Sequence, residues 1–226
     1  MSYTPLMLKQ LAFDNICHEH VYYHDLTSIQ NIFSKHDMKI VDCSLNDTNG
    51  GSFRVYIQKK IARQQSFGSA PLRDVCAARI ESLLIYERYV VNIRKPYTWQ
   101  DFTYKLNQLK NDLIKIIHQI KSEGKTIYGY GASTKGNTLL QYFGLTSNEI
   151  TAIAERSPYK FGLKTIGTHI PIISEEEMRA AKPDYLLILP WHFINEFVAR
   201  EQVIMSKGTK MIVPWPKVEI ISYENR

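Results

Sequence analysis

The chain reads as an α/β protein whose C-terminal part is a parallel sheet with helices on its faces, and three observations predict this. From Lys125 onward, apolar runs at 126–130, 150–154, 185–189 and 211–213 alternate with helical patterns, as strands and helices do in βαβ units. The first run enters a glycine-studded turn, Gly129-Tyr-Gly131-Ala-Ser-Thr-Lys135-Gly136-Asn137, and then an apolar helical stretch. Ser174 and Glu177 spell a capping box between the second and third runs, which is a helix start signal.

Ahead of that sheet, residues 1–60 carry a short helix around 27–36, a strand at 39–45, a polar turn at 46–51 and a strand at 53–58. Two strands joined by a Gly-rich turn form an antiparallel pair. A lone pair is marginal in water, so it is expected at the edge of a larger sheet. Residues 61–70 are small and polar, a linker, and 71–92 carry apolar residues at near-helical spacing. Thr98 and Asp101 suggest a second capping box, after which Phe102, Leu106, Leu109, Leu113, Ile116, Ile117 and Ile120 draw one stripe that Gly124 stops. Such a stripe packs into a core or docks a partner. The domains expected are therefore 1–60, a helical connector at 61–124, and 125–226.

At 226 residues the chain suffices for one large or two small domains with their own cores. A net charge of +6 favours anionic partners. Lys and Arg are scattered, with no basic run interleaved with aromatics, which argues against nucleic acid and suits a phosphate-bearing small molecule. Cys17, Cys43 and Cys76 are odd in number and form no C-x-x-C pair, and no signal segment precedes them. A soluble protein of the reducing cytoplasm is expected. No apolar stretch reaches about 18 residues, so no membrane span is expected.

The glycine-rich turn is the first candidate site. Gly129 and Gly131 let backbone approach a ligand, Ser133 and Thr134 offer hydroxyls, Lys135 a cation, and a helix N-terminus offers amide donors to phosphate. The spelling departs from both standard signatures. The third glycine, Gly136, comes two residues late for G-x-G-x-x-G, and the lysine precedes Gly136 where a Walker loop places it after. Glu155 stands where a dinucleotide fold places its ribose-binding acid. A tight strand-to-helix connection without a ligand fits the same residues. The turn, Glu155 and Pro190-Trp191-His192 all fall at strand ends and are expected to converge on one crevice.

The second candidate is His18-Glu19-His20, followed by Tyr22, Tyr23 and His24. His20 and His24 have a helical metal-ligand spacing, but H-E-x-x-H is absent and no third ligand is recognisable, so no metal is assigned. A general base beside an orienting carboxylate and a His-rich surface turn both fit.

Phe13-Asp-Asn-Ile-Cys-His-Glu-His20, Tyr23, Asn49-Gly-Gly-Ser-Phe-Arg-Val-Tyr56 and Gly129 through Leu140, with Gly167 through Ile172 and Leu189-Pro-Trp191, resemble the sugar C-methyltransferase family in order along nearly the whole chain. The resemblance implies three parts: a zinc-binding segment, a class I methyltransferase domain that binds S-adenosylmethionine, and a C-terminal Rossmann-like domain that helps hold a nucleotide sugar. On it, residues 1–60 are the last helix and strands of a truncated methyltransferase sheet, and 125–226 are the Rossmann-like domain. The zinc cysteines and the glycine-rich S-adenosylmethionine loop have no counterpart in this sequence. The resemblance makes His20 the base and Glu19 its orienting or proton-handling partner. Cys17 stands where some members have a catalytic tyrosine, a role that Tyr22 or Tyr23 could partly supply.

The function implied is S-adenosylmethionine-dependent C-methylation of a keto-deoxysugar nucleotide, with this chain as the substrate-binding part. Gly129, Gly131, Ser133, Thr134, Lys135, Gly136, Asn137 and Glu155 would hold the nucleotide, and Arg54, near Gly50, Gly51 and Ser52, would pair with a phosphate or remain a solvated strand arginine. A noncatalytic nucleotide-sugar module that docks to a methyltransferase or self-associates is the alternative, and an NAD(P)-binding oxidoreductase is a third.

Overall fold

The computed structural model describes residues 2–46, 51–60 and 68–225. The chain forms two compact units, one of Met1–Ala12 with His20–Thr103 and one of Phe13–Glu19 with Tyr104–Arg226. Both are built from helices and strands, so the α/β expectation holds.

In the first unit, α1 (Thr4–Lys9) and α2 (Leu26–Ser34) precede an antiparallel pair, β1 (Met38–Asn46) and β2 (Ser52–Lys59). The pair runs in register from Met38 opposite Lys59 to Asn46 opposite Ser52, with an irregularity between Ile40 and Asp42. Most of its expected Gly-rich turn, including Gly50, lies outside the described residues, as does most of the expected linker. Among the described residues the two strands make a two-stranded sheet. Tyr3, Leu26, Ile29, Cys43 and Phe53 form a buried cluster, with Ile80, Leu83 and Leu84 of α3 (Ala70–Ile85) packed against it. Helices thus supply the apolar cover that an isolated strand pair lacks. Burial holds the Cys43 thiol up at about 11, so this cysteine is an inert core side chain.

After α3 the chain passes through a π-helical turn, Tyr86–Val91, that carries Glu87 into the core. Glu87 is 2% exposed and accepts from Tyr3 Oη (2.8 Å), the Leu26 amide (2.5 Å), the Thr27 amide (3.0 Å) and Thr27 Oγ1 (2.7 Å). Its carboxylate therefore caps the first turn of α2, whose amides have no intrahelical acceptor. Burial and this carboxylate push the Tyr3 phenol far above its ordinary value, so it remains a donor. Glu87→Ala should destabilise the first unit by about 3 kcal/mol, because buried donors lose their acceptor. Urea denaturation would check it, and a loss below about 0.5 kcal/mol would show that water replaces the carboxylate.

The long helix α4 (Pro96–Ser122) begins two residues before the expected cap. Thr98 sits inside the first turn, and its hydroxyl donates to the carbonyls of Val91 and Asn92 instead of capping the helix. Pro96 wins because its fixed φ suits the start of a helix and its missing N–H costs nothing there. The apolar stripe is core: Phe102, Leu106, Leu109, Leu113, Ile117 and Ile120 are buried.

The second unit is a six-stranded sheet in the order β5-β4-β3-β6-β7-β8, with β3 (Ile127–Tyr130), β4 (Ile153–Glu155), β5 (Ile172–Ser174), β6 (Tyr185–Ile188), β7 (Lys210–Val213) and β8 (Glu219–Ile221). All neighbours are parallel except the β7–β8 hairpin. Every residue of β6 is buried, as expected of a strand covered on both faces. The crossovers carry α5 (Thr134–Phe143), α6 (Glu175–Ala181), α7 (Ile194–Arg200) and α8 (Gln202–Met205). The Ser174–Glu177 capping box forms reciprocally at the start of α6.

From β3 the chain steps outward to β4 and β5, then returns across β3 to β6 and β7. The reversal opens a space outside the carboxyl ends of β3 and β6, where ligands of open α/β sheets bind. In the same unit, Tyr130 Oη donates to Glu201 Oε1 (2.6 Å), and Arg179 holds both Glu201 oxygens (2.9 and 2.5 Å) and Glu175 (2.8 Å). Arg200 completes the network on Glu175 (2.9 Å).

Candidate functional site

The site is built on the turn that leaves β3. Gly131 has φ +88°, and a Cβ there would lie 2.6 Å from Cγ and 2.8 Å from Cδ of Pro190. Only glycine fits both the conformation and the space. Gly136, on the first turn of α5, brings that helix onto the chain after β6, since a Cβ there would meet Leu189 Cβ at 2.9 Å. This is the helix-packing task of the third glycine in a dinucleotide fold, performed at the later position because the helix itself starts later.

Ser133 is the N-cap of α5, and its Oγ accepts from the Gly136 amide (3.0 Å). Glu155, at the end of β4, accepts from the Ala132 amide (2.9 Å) with Oε2 and from the Arg156 and Ser157 amides (2.9 and 3.0 Å) with Oε1. Lys160 Nζ donates to the Ala132 carbonyl (2.7 Å) and lies 3.4 Å from Glu155 Oε2. The Glu155 carboxylate is therefore a clamp that ties the glycine-rich turn to the neighbouring strand. A ribose hydroxyl there would compete with the long Lys160 contact.

Outside the strand ends lies a cleft of about 790 Å³, in the range of small-molecule sites. Helix α5 lines it with Thr134, Asn137, Thr138 and Gln141, the i, i+3, i+4, i+7 face, and the loop 156–171 lines it with Lys160 and Lys164. Asn137 Oδ1 is buried without a hydrogen-bond partner among the described residues. The facing wall comes from Cys17 and His18 of the 13–19 segment. Phe13 anchors that segment by stacking on Phe143 (5.2 Å) and tilting against Trp215 (5.4 Å). Glu19 Oε1 accepts from Thr134 Oγ1 (3.2 Å) and lies 4.0 Å from His18 Nε2.

Lys135 does not line the cleft. Its charge acts on Asp14 and His192 instead. Asp14 is 1% exposed; burial raises its pKa, against the Lys135 charge and a 3.4 Å bond from Trp191 Nε1. Burial, helped by Lys135, lowers the pKa of His192 and keeps that imidazole neutral near pH 7. The Pro190-Trp191-His192 turn meets the glycine-rich turn through Gly131 and Pro190, and Leu189 just before it is the residue there that lines the cleft.

The second unit brings together Gly129, Gly131, Ser133, Thr134, Lys135, Gly136, Asn137, Glu155 and Glu19. His20, Tyr23 and Arg54 belong to the first unit, where Tyr23 is 39% exposed and Arg54 is exposed on β2 opposite Ser44. Among the described residues no group of His, Cys, Asp and Glu could hold a metal, and no helix is long and apolar enough to cross a membrane. Sequence reasoning missed Lys160, Lys164 and Asp14. The first two follow a strand of the parallel sheet at its carboxyl end, a position that could have flagged them. Asp14 stands inside the Phe13–His20 motif, but nothing in the spacing singles out its carboxyl.

Residues 47–216 match the family model described as the C-methyltransferase C-terminal domain. The chain is 30% identical over 223 residues to C-methyltransferase NovU of Streptomyces niveus, covering 99% of this chain and 50% of that protein. It thus spans about half the length of the curated relative it matches.

Proposed function

The chain belongs to the C-methyltransferase C-terminal domain family, and from that premise we propose that it is the nucleotide-sugar-binding part of an S-adenosylmethionine-dependent C-methyltransferase acting on a keto-deoxysugar nucleotide. The observation that carries this reading is the cleft outside the carboxyl ends of β3, β4 and β6, walled by the first turns of α5. In this reading the second unit is Rossmann-like, a description supported by its strand order and the glycine-rich turn after its first strand. The turn 129–137 cradles the diphosphate, where backbone approaches closely and the helix N-terminus favours anions. The first unit is the terminal portion of a methyltransferase domain, with α3 and the π-helical turn leading into the connector α4.

S-adenosylmethionine supplies an electrophilic methyl group, and no residue of this chain is assigned to hold it; that task falls to the part of the relatives this chain does not span. The chain's own chemistry is proton removal. A sugar carbon becomes a nucleophile when it loses a proton next to a ketone, and His20 takes that proton. Glu19, fixed by Thr134 at the head of α5, orients the adjoining base, and Tyr23 assists in proton handling.

Calorimetric titration tests the reading. Thymidine diphosphate should bind and NAD should not, and His20→Ala should leave that affinity unchanged while abolishing methylation by the chain completed with an S-adenosylmethionine-binding half. Binding of NAD alone would replace this reading with an oxidoreductase. Binding of thymidine diphosphate without methylation in the completed protein would leave a noncatalytic nucleotide-sugar module.

A further inference from the structure

A diphosphate carries negative charge on each phosphoryl group, whereas a helix N-terminus offers only about half a positive charge. Glu155 and Glu19 add negative charge beside the cleft, bonded to Ala132 and Thr134 of its lining. Cations are needed. Lys135, the lysine of the glycine-rich turn, is not among the residues that line the cleft, which α5 meets with Thr134, Asn137, Thr138 and Gln141. One residue along a helix is a rotation of about 100°, enough to take it from the Thr134–Asn137–Gln141 face to the next.

Lys160 and Lys164 do line the cleft, and both are presented by a braced loop. Lys160 Nζ stands on the glycine-rich turn itself, 2.7 Å from the Ala132 carbonyl, with its side chain 43% exposed. Lys164 forms a β-bridge with Pro171, inside a hairpin whose Thr165 and Ile170 exchange backbone and hydroxyl bonds. The hairpin is tied to α5, where Gln141 Nε2 donates to the Ile166 carbonyl (2.7 Å). Gly167 at its tip comes so near Gln141 that a Cβ would lie 3.2 Å from Nε2. A loop held this way keeps its lysines at the cleft.

We infer that Lys160 and Lys164, and not Lys135 of the glycine-rich turn, are the cations that grip the diphosphate in this cleft. The inference rests on the reading of the cleft as a nucleoside diphosphate site. Lys160 lies closest to the glycine-rich turn and takes the phosphoryl group nearest the helix. Lys164 takes the other from the hairpin, and the Asn137 amide, with its partnerless buried oxygen, takes a hydroxyl of the ligand.

The test is calorimetric titration of thymidine diphosphate into the parent protein and into Lys160→Met, Lys164→Met and Lys135→Met, each at low and high salt. Lys160→Met and Lys164→Met should each weaken binding by about tenfold or more and flatten its salt dependence. Lys164 is exposed, so its variant decides the matter if Lys160→Met, which loses a bond to the glycine-rich turn, fails to fold. Unchanged affinity in Lys164→Met, or a loss concentrated in Lys135→Met, overturns the inference and leaves the nucleotide site standing. Failure of the parent protein to bind thymidine, uridine or guanosine diphosphate overturns both.

Discussion

Gly131→Ala should cost the second unit about 2–5 kcal/mol and remove nucleotide binding from the cleft. Two penalties add. A non-glycine residue at φ +88° pays about 1–2 kcal/mol for the left-handed conformation. A methyl group held 2.6 and 2.8 Å from the Pro190 ring adds an overpacking cost of about 1–3 kcal/mol, because a proline ring cannot rotate away. Relief requires the Pro190 turn or the Ala132 amide to move. The first loosens the Trp191 bond to Asp14, and the second breaks the 2.9 Å bond to Glu155 that shapes the mouth of the cleft. Urea denaturation and titration with thymidine diphosphate would measure both effects. A variant within about 0.5 kcal/mol of the parent with normal affinity would show that the turn is not under this constraint.

Glu201→Ala should be comparably damaging, at about 3–5 kcal/mol, and its effect should depend on pH. Glu201 is 1% exposed, and its removal leaves the Arg179 guanidinium, the Tyr130 hydroxyl and Arg200 around a space without its acceptor. Burial alone would raise the Glu201 pKa, but bonds from Arg179 and Tyr130 and the charge of Arg200 bring it below the ordinary glutamate value. A carboxyl depressed in the folded state stabilises fully above its unfolded pKa of about 4.3, and that stabilisation is lost as pH falls through the folded value. The parent protein should therefore lose thermal stability on acidification below about pH 4.3, and Glu201→Ala should lose less over the same interval. A Tm for the variant equal to the parent's at pH 7, or parallel pH profiles, would show that the network contributes nothing net.

Much of this was legible because it follows from local chemistry. Ser174 and Glu177 spell a reciprocal cap that forms as written, and the Phe102–Ile120 stripe is the buried face of α4. The glycine-rich turn showed itself through residues that few other structures require. Legibility failed where tertiary context decides. The strands Ile172–Ser174 and Glu219–Ile221 are three residues each, too short for periodicity, and exist because neighbouring strands offer them a ladder. Thr98 looked like a cap because spacing cannot register that Pro96 starts the helix first. The direction of Lys135 was likewise hidden: the sequence places it in the turn, but the face of α5 on which it falls depends on where the helix begins.

The 13–19 segment has a kinetic consequence. The Trp191–Asp14 bond spans 177 positions, and Phe13 meets Trp215 about 200 residues later in the chain. The wall that carries Cys17 and His18 is thus synthesised before the rest of the second unit, yet its anchors Phe143, Trp191 and Trp215 come much later, the last of them only after β7. Contacts of such separation carry the largest loop-closure cost and are the last to form in folding. The binding cleft should be completed as a late event, after the sheet beneath it has already assembled.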